Sequence, residues 1–256
     1  MERRLHFVLV HGVGNGAWCW YKVRSLLENS GYKVTCVDLK SAGIDPSSPD
    51  RLSSFDDYNS PLMDALSALP DDERVVLVGH SAGGLSVTRA SGVLPGKIKV
   101  AVYVAATMLR NGFCTEEDRK AGLPDLSEFG DAYDLGFGLG SDHPPTSAVL
   151  KKSLQRKLAY HMTPPEDAVL ASMLLKPGPI QVLSTARFVE DKEVDAVPRV
   201  YIKTAHDRII KPEQQEAMMS TWKPKEVFVV ESDHSPFLSA PLVLFGMLVK
   251  AAALAE

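Results

Sequence analysis

Six short apolar, β-branched runs recur along the chain, at Phe7–Val10, Val34–Val37, Val75–Val78, Val100–Val104, Val200–Ile202 and Val227–Val230. Continuous hydrophobic runs of this length suit strands buried on both faces, whereas half-wet strands alternate. Between them lie segments with helical spacing: Trp18–Glu28, Phe55–Leu69, Leu85–Leu94, Pro212–Trp222 and Pro241–Ala253. Strand alternating with helix predicts an α/β fold with a mainly parallel central sheet of about six strands and helices on both faces.

The alternation stops between about Leu109 and Val182, where no strand pattern is visible and Gly, Pro and acidic residues cluster. Helical pieces are expected at Ser153–Tyr160 and Pro165–Leu175, the second with Thr163 as its cap. A structureless loop of this length does not belong in a compact domain, so residues 109–182 are read as a helical cap inserted into a core of 1–108 and 183–256, all one structural unit.

Composition narrows the class. A chain of 256 residues with 45% hydrophobic and 23% charged residues is an ordinary globular sequence, which excludes disorder, collagen and coiled coil. The formal charge of −4 comes with basic residues only in pairs such as Arg3-Arg4 and Lys151-Lys152, so no nucleic-acid partner is expected. Cys19, Cys36 and Cys114 are odd in number and lack CxxC spacing, which argues against a disulfide framework and a structural zinc. The run Leu5–Val10 is too short for a signal or spanning segment, and the apolar Leu242–Leu254 is broken by Lys250, so a packed amphipathic helix and no membrane role are expected. A cytoplasmic location is the expectation that follows.

The chemistry concentrates after the strands. Val75–Val78 runs into Gly79-His80-Ser81-Ala82-Gly83-Gly84 and then into helical spacing, which is the strand, G-x-S-x-G, helix pattern of a nucleophile elbow. A serine on a strained turn needs neighbours without side chains so that strand and helix can approach. The competing reading, a phosphate cradle, lacks the Lys-Ser/Thr of a Walker loop and the spacing of a dinucleotide site.

An acid and then a histidine should follow in chain order. Strand Arg199–Lys203 leads to Asp207, and strand Glu226–Val230 leads to His234, so both arrive at the same sheet edge as Ser81. Neutral imidazole can take the serine proton while a buried carboxylate fixes its tautomer. The bland alternatives are that Asp207 caps the following helix and His234 its own turn. Asp233 reads as a turn residue and His80 as part of the elbow; His11, His143, His161 and His206 receive no proton-transfer role. The glycine-rich loop His11–Trp18 opens a helix after the first strand, and the N–H groups of Val13 and Ala82 are the expected oxyanion donors. Trp18 and Cys19 there read as packing residues.

Taken together, His11-Gly12…Gly16-Ala17-Trp18-x-Trp20-Tyr21-Lys22, Val37-Asp38-Leu39…Ser41-x-Gly43-Ile44-Asp45, Gly79–Gly84, Val200-Tyr201-Ile202 and Asp233-His234 resemble the plant methylesterase and hydroxynitrile lyase family of α/β-hydrolases over nearly all of residues 5–254. Asn111-Gly112, Pro124–Ser127, Leu135–Gly140, Pro144–Ser147 and Glu231–Phe237 look closest to the subgroup that includes methyl indole-3-acetate esterase. The resemblance implies the α/β-hydrolase fold and a cofactor-free, metal-free carboxylesterase of small hormone methyl esters, with Ser81, Asp207 and His234 as its triad. A homodimer is also implied, since family members are often dimers.

Lyases of one type carry Thr after the loop His and Lys after the catalytic His, where this chain has Gly12 and Ser235, which disfavours that activity. A second lyase type lacks the lysine. Ala82 stands where the commoner family pattern has a bulkier residue, and Ser235-Pro236 replaces a Met-containing tail, which enlarges the acyl pocket and favours an indole-sized group over salicylate. Gly12, Phe129, Tyr133, Phe137, Tyr160 and Phe237 are the expected substrate-binding residues, with Leu135, Met162 and Leu238 beside them in a mainly apolar cavity. A receptor-like hormone binder with little turnover, a hydroxynitrile lyase and an esterase of a larger ester such as a chlorophyll breakdown product remain the alternatives.

Overall fold

The computed structural model describes residues 4–188 and 192–254, with the side chain of residue 192 excepted. The first half contains β1 (His6–Val10), α1 (Tyr21–Asn29), β2 (Lys33–Val37), α2 (Phe55–Ser67), β3 (Val75–His80), α3 (Gly83–Val93) and β4 (Ile98–Val104). A longer excursion then holds α4 (Glu116–Gly122), β5 (Tyr133–Gly136), β6 (Ser147–Leu150), α5 (Lys152–Leu158), α6 (Pro165–Leu174) and α7 (Ile180–Ser184). The chain returns through β7 (Arg199–Thr204), α8 (Pro212–Thr221), β8 (Glu226–Val230), α9 (Pro236–Ser239) and α10 (Pro241–Ala253).

The central sheet has six strands in the order β2-β1-β3-β4-β7-β8, every neighbouring pair parallel. The middle strands are buried on both faces because helices cover them: Phe7–Val10 and Val75–Val78 are essentially inaccessible. On one side α1 packs with α9 and α10, while α3 lies on β3 and β4 with α2 beside it. The edge strand β8 departs from the expected double burial: Phe228 and Val230 are buried while Val227 and Val229 on its other face are exposed. In α10 the buried residues Leu244, Leu248, Ala251 and Ala252 follow the helical period, and Leu242 and Val243 take the wet side. Among the described residues no helix is long and apolar enough to cross a membrane.

Two expectations for the excursion between β4 and β7 are corrected. It is not wholly helical, because β5 and β6 form an antiparallel ladder pairing Tyr133 with Leu150 and Gly136 with Ser147. Four-residue strands are too short to display alternation, and β5 is largely solvent-facing, so no apolar run marks it. Thr163 does not cap α6, which starts at Pro165 without a side-chain cap; its hydroxyl donates to Asp233 Oδ2 instead.

Parallel strands put all their carboxyl ends at one edge. The chain passes from β1 outward to β2 and then back across to β3, so the switch in strand order falls between β1 and β3, where open α/β sheets place their ligands. The loops after β1, β3, β7 and β8 carry Val13, Ser81, Asp207 and His234 respectively.

Candidate active site

Ser81 occupies the turn between β3 and α3 with φ of 53°, a left-handed conformation that costs a non-glycine residue about 1–3 kcal/mol. The turn is held there by its neighbours: the Ser81 N–H donates to the Val104 carbonyl at 3.2 Å, and its own carbonyl accepts from Gly84 and Thr107, each at 3.0 Å. Close approach explains the flanking glycines. A Cβ on Gly79 would sit 2.6 Å from the Gly83 carbonyl oxygen, and one on Gly83 would sit 2.6 Å from the His11 carbonyl oxygen.

Asp207, its side chain without solvent exposure, is saturated with donors. Oδ1 accepts from the Ile209 and Ile210 amides at 2.8 and 3.0 Å, and Oδ2 from the Thr204 hydroxyl at 2.9 Å and His234 Nδ1 at 2.8 Å. The helix after it begins at Pro212, so Asp207 shapes its own loop and does not cap α8. An ionised carboxylate only accepts hydrogen bonds, so Nδ1 carries the proton and the lone pair of neutral His234 is at Nε2.

Ser81 and His234 line the same cavity. They make no direct hydrogen bond in this structure, a looseness common before a substrate brings base and nucleophile together. Val13 and Ala82 line the cavity beside them. Among the described contacts neither amide donates to a protein acceptor, which leaves both for a ligand oxygen.

The other polar residues have different work. His80 is inaccessible, and its Nε2 donates to the His234 carbonyl at 2.7 Å; burial, then the electrostatic influence of the adjoining His234 ring, pushes its pKa well below the usual histidine range. His11 Nδ1 donates to the Gly12 carbonyl and its Nε2 accepts from the Leu39 amide, with burial again lowering its pKa. His206 is half exposed and pairs with Glu231 at 2.6 Å. Asp233 does more than turn the chain: it accepts from Ser235 N at 3.0 Å, Met162 N at 2.8 Å and the Thr163 hydroxyl at 2.9 Å, clasping the excursion to the histidine loop.

The cavity is about 500 Å³ in volume, and its lining includes no Asp or Glu and one lysine, Lys176. Of the expected substrate-binding residues, Tyr133 and Tyr160 line it, as does Leu135; burial raises both tyrosine pKa values, that of Tyr133 to about 12. The remaining four do not. Phe237 is turned into the core against Trp20 and His80, with ring centroids 5.1 and 4.8 Å away. Phe137 is 46% exposed, and Phe129 packs beneath the Lys157 ammonium, 4.8 Å from its ring centroid. Gly12 lies behind the nucleophile, where a Cβ would be 2.8 Å from Ser81 Cβ. Met162 and Leu238 are also absent from the wall. The sequence reading missed Phe113, Leu123, Leu183, Ile209 and Ile210. Only Ile209-Ile210 carried a signal, as an apolar pair directly after the acid.

The chain matches the alpha/beta hydrolase family over residues 7–246. It is 57% identical to Methylesterase 17 of Arabidopsis thaliana over 96% of this chain and 91% of that protein. It is 43% identical to Methylesterase 18 of the same plant, over 96% of this chain and 97% of that one. The crystal structure of the methylesterase protein MES16 from Arabidopsis superposes with a TM-score of 0.88 at 39% identity, covering 98% of this chain and 99% of that chain.

These comparisons overturn the cytoplasmic expectation. Putative methylesterases 11, 13 and 14 of Arabidopsis thaliana, 39%, 37% and 36% identical to this chain, are named as chloroplastic. Composition and cysteine content describe the catalytic domain that such proteins share and carry no address. With an elbow serine, a carboxylate-held imidazole and two free amides around one apolar cavity, and with relatives of this identity along its whole length, the chain belongs to the methylesterase family of α/β-hydrolases and is a serine ester hydrolase.

Proposed function

We propose that this enzyme hydrolyses methyl indole-3-acetate through a Ser81–His234–Asp207 triad. Ser81 Oγ attacks the ester carbonyl as His234 Nε2 takes its proton, and the oxyanion receives the Val13 and Ala82 amides. The imidazolium returns the proton to the departing methoxide, releasing methanol and leaving the acyl group on Ser81. Water then gives up a proton to His234 and attacks the acyl carbon, releasing the acid and restoring the serine.

The observation that carries this reading is the His234 Nδ1 to Asp207 Oδ2 bond of 2.8 Å beside an elbow serine on the same cavity wall. Support for an indole-sized acyl group comes from the cavity of about 500 Å³ and from the small Ala82, Ala148 and Ala159 on its wall. Relatives named pheophorbidase and pFDCC methylesterase, at 42% and 40% identity, favour as a second reading a larger methyl ester in the same cavity.

The test is methanol release from methyl indole-3-acetate, methyl jasmonate, methyl salicylate and a chlorophyll-derived methyl ester, with Ser81→Ala as control. The highest kcat/KM on the indole ester, lost in Ser81→Ala, is expected. Preference for the chlorophyll-derived ester would install the second reading, and binding without release would replace both with a receptor role.

A further inference from the structure

The oxyanion loop is gripped from two sides. From the core, His11 Nδ1 and the Asn15 amide both donate to the Gly12 carbonyl, at 2.8 and 3.2 Å. In a trans peptide that fixes the opposite direction of the Val13 N–H. From the excursion, the Lys176 amide donates to the Gly14 carbonyl at 2.9 Å, and Gly178 lies flat against Val13. A Cβ on Gly178 would overlap Val13 Cγ2 and stand 3.1 Å from the Gly14 nitrogen. Gly178 has no left-handed φ, so the space, and not the backbone conformation, demands glycine there.

Gly178 is also tied to the acyl wall. It exchanges two main-chain hydrogen bonds with Ala148, at 3.0 and 2.8 Å, and Ala148, Val149 and Leu150 of β6 line the cavity. We propose that Gly178 is a positioning residue that seats Val13, joining the acyl-binding wall of β6 to the oxyanion amide in one unit. This rests on reading Val13 N–H as an oxyanion donor. An acyl group that displaces β6 then misaligns the donor, so a poor fit is felt in kcat as well as in binding.

A methyl at position 178 pushes on a branched side chain with little rotational freedom and, behind it, on the loop backbone. Removing an oxyanion donor outright costs about 10²–10³-fold in kcat, so displacing one should cost about 10–100-fold. Gly178 does not line the cavity, and KM should stay within about threefold. The experiment measures kcat and KM of Gly178→Ala, Val13→Ala and the double variant on p-nitrophenyl acetate and methyl indole-3-acetate, with Ser81→Ala alongside.

The expected result is a kcat-selective loss in Gly178→Ala that the double variant largely restores, because deleting Cγ2 removes the overlap. A wild-type kcat for Gly178→Ala, or a double variant no faster than it, overturns the proposal while leaving the triad intact. Activity retained by Ser81→Ala on the aryl ester overturns the underlying reading instead. If Gly178→Ala does not fold, the double variant is compared with Val13→Ala: equal kcat supports the proposal and a tenfold deficit or absence of folding overturns it.

Discussion

Asp207→Asn tests the logic of the site at one atom. Oδ1 faces two main-chain donors, the Ile209 and Ile210 amides, so the new side chain must keep its oxygen there. Its NH₂ then takes the place of Oδ2 and points a donor at His234 Nδ1. The imidazole answers by moving its proton to Nε2, which can no longer accept from Ser81. Restoring the working tautomer forfeits a charge-assisted hydrogen bond, worth about 1.5–3 kcal/mol, and sets two buried donors against each other, about 1–3 kcal/mol more. The sum, roughly 2.5–6 kcal/mol, predicts a fall in kcat of about 10²–10⁴-fold; Ser-His-Asp hydrolases lose about 10⁴-fold to this change. Initial rates on an aryl and a methyl ester at pH 7, with a thermal melt to show the variant folded, decide it. A kcat within tenfold of wild type would refute the tautomer argument.

Ala82→Leu should narrow the acyl pocket and lower kcat/KM for methyl indole-3-acetate about 10–200-fold relative to p-nitrophenyl acetate; parallel losses on both would show that the change is not steric. Phe237→Ala should destabilise the fold by about 3–5 kcal/mol in denaturant titrations and leave KM unchanged, since the ring packs on Trp20 and His80 away from the cavity. Burial lowers the pKa of His6, His11, His80 and His161, so below about pH 6.5 the unfolded chain binds protons that the folded one refuses. Stability is therefore full above that pH and falls on acidification, by at most about 1.4 kcal/mol per pH unit for each of the fully buried His11 and His80, and melts of His80→Gln between pH 7.5 and 5.5 should show a shallower decline. An unchanged slope would mean that His80 titrates normally in the folded protein.

What the sequence made legible was whatever depends on local order along the chain. β3, the elbow and α3 are contiguous, so G-x-S-x-G after an apolar run was sufficient to place Ser81 at a strained turn. Asp207 and His234 each follow a strand, and parallel pairing alone brings those loops to one edge. The cavity wall was not legible, because it depends on which way a side chain turns after the backbone is set. Phe237, three residues past His234, enters the core since Trp20 and His80 offer it an apolar seat. Ile209 and Ile210 reach the cavity while their amides hold Asp207. The Asp233 clasp on Thr163 and the seat of Val13 on Gly178 join residues far apart in sequence, and no periodicity announces such pairs.

The central claim is that Ser81 is the nucleophile and that His234 makes it one. It is tested most directly by treating the protein with a p-nitrophenyl phosphonate and mapping the covalent adduct by mass spectrometry. The account predicts one phosphonyl group per chain, on Ser81, with labelling slowed by several orders of magnitude in His234→Ala. An adduct on another residue, or labelling of Ser81 at the wild-type rate without His234, would contradict it.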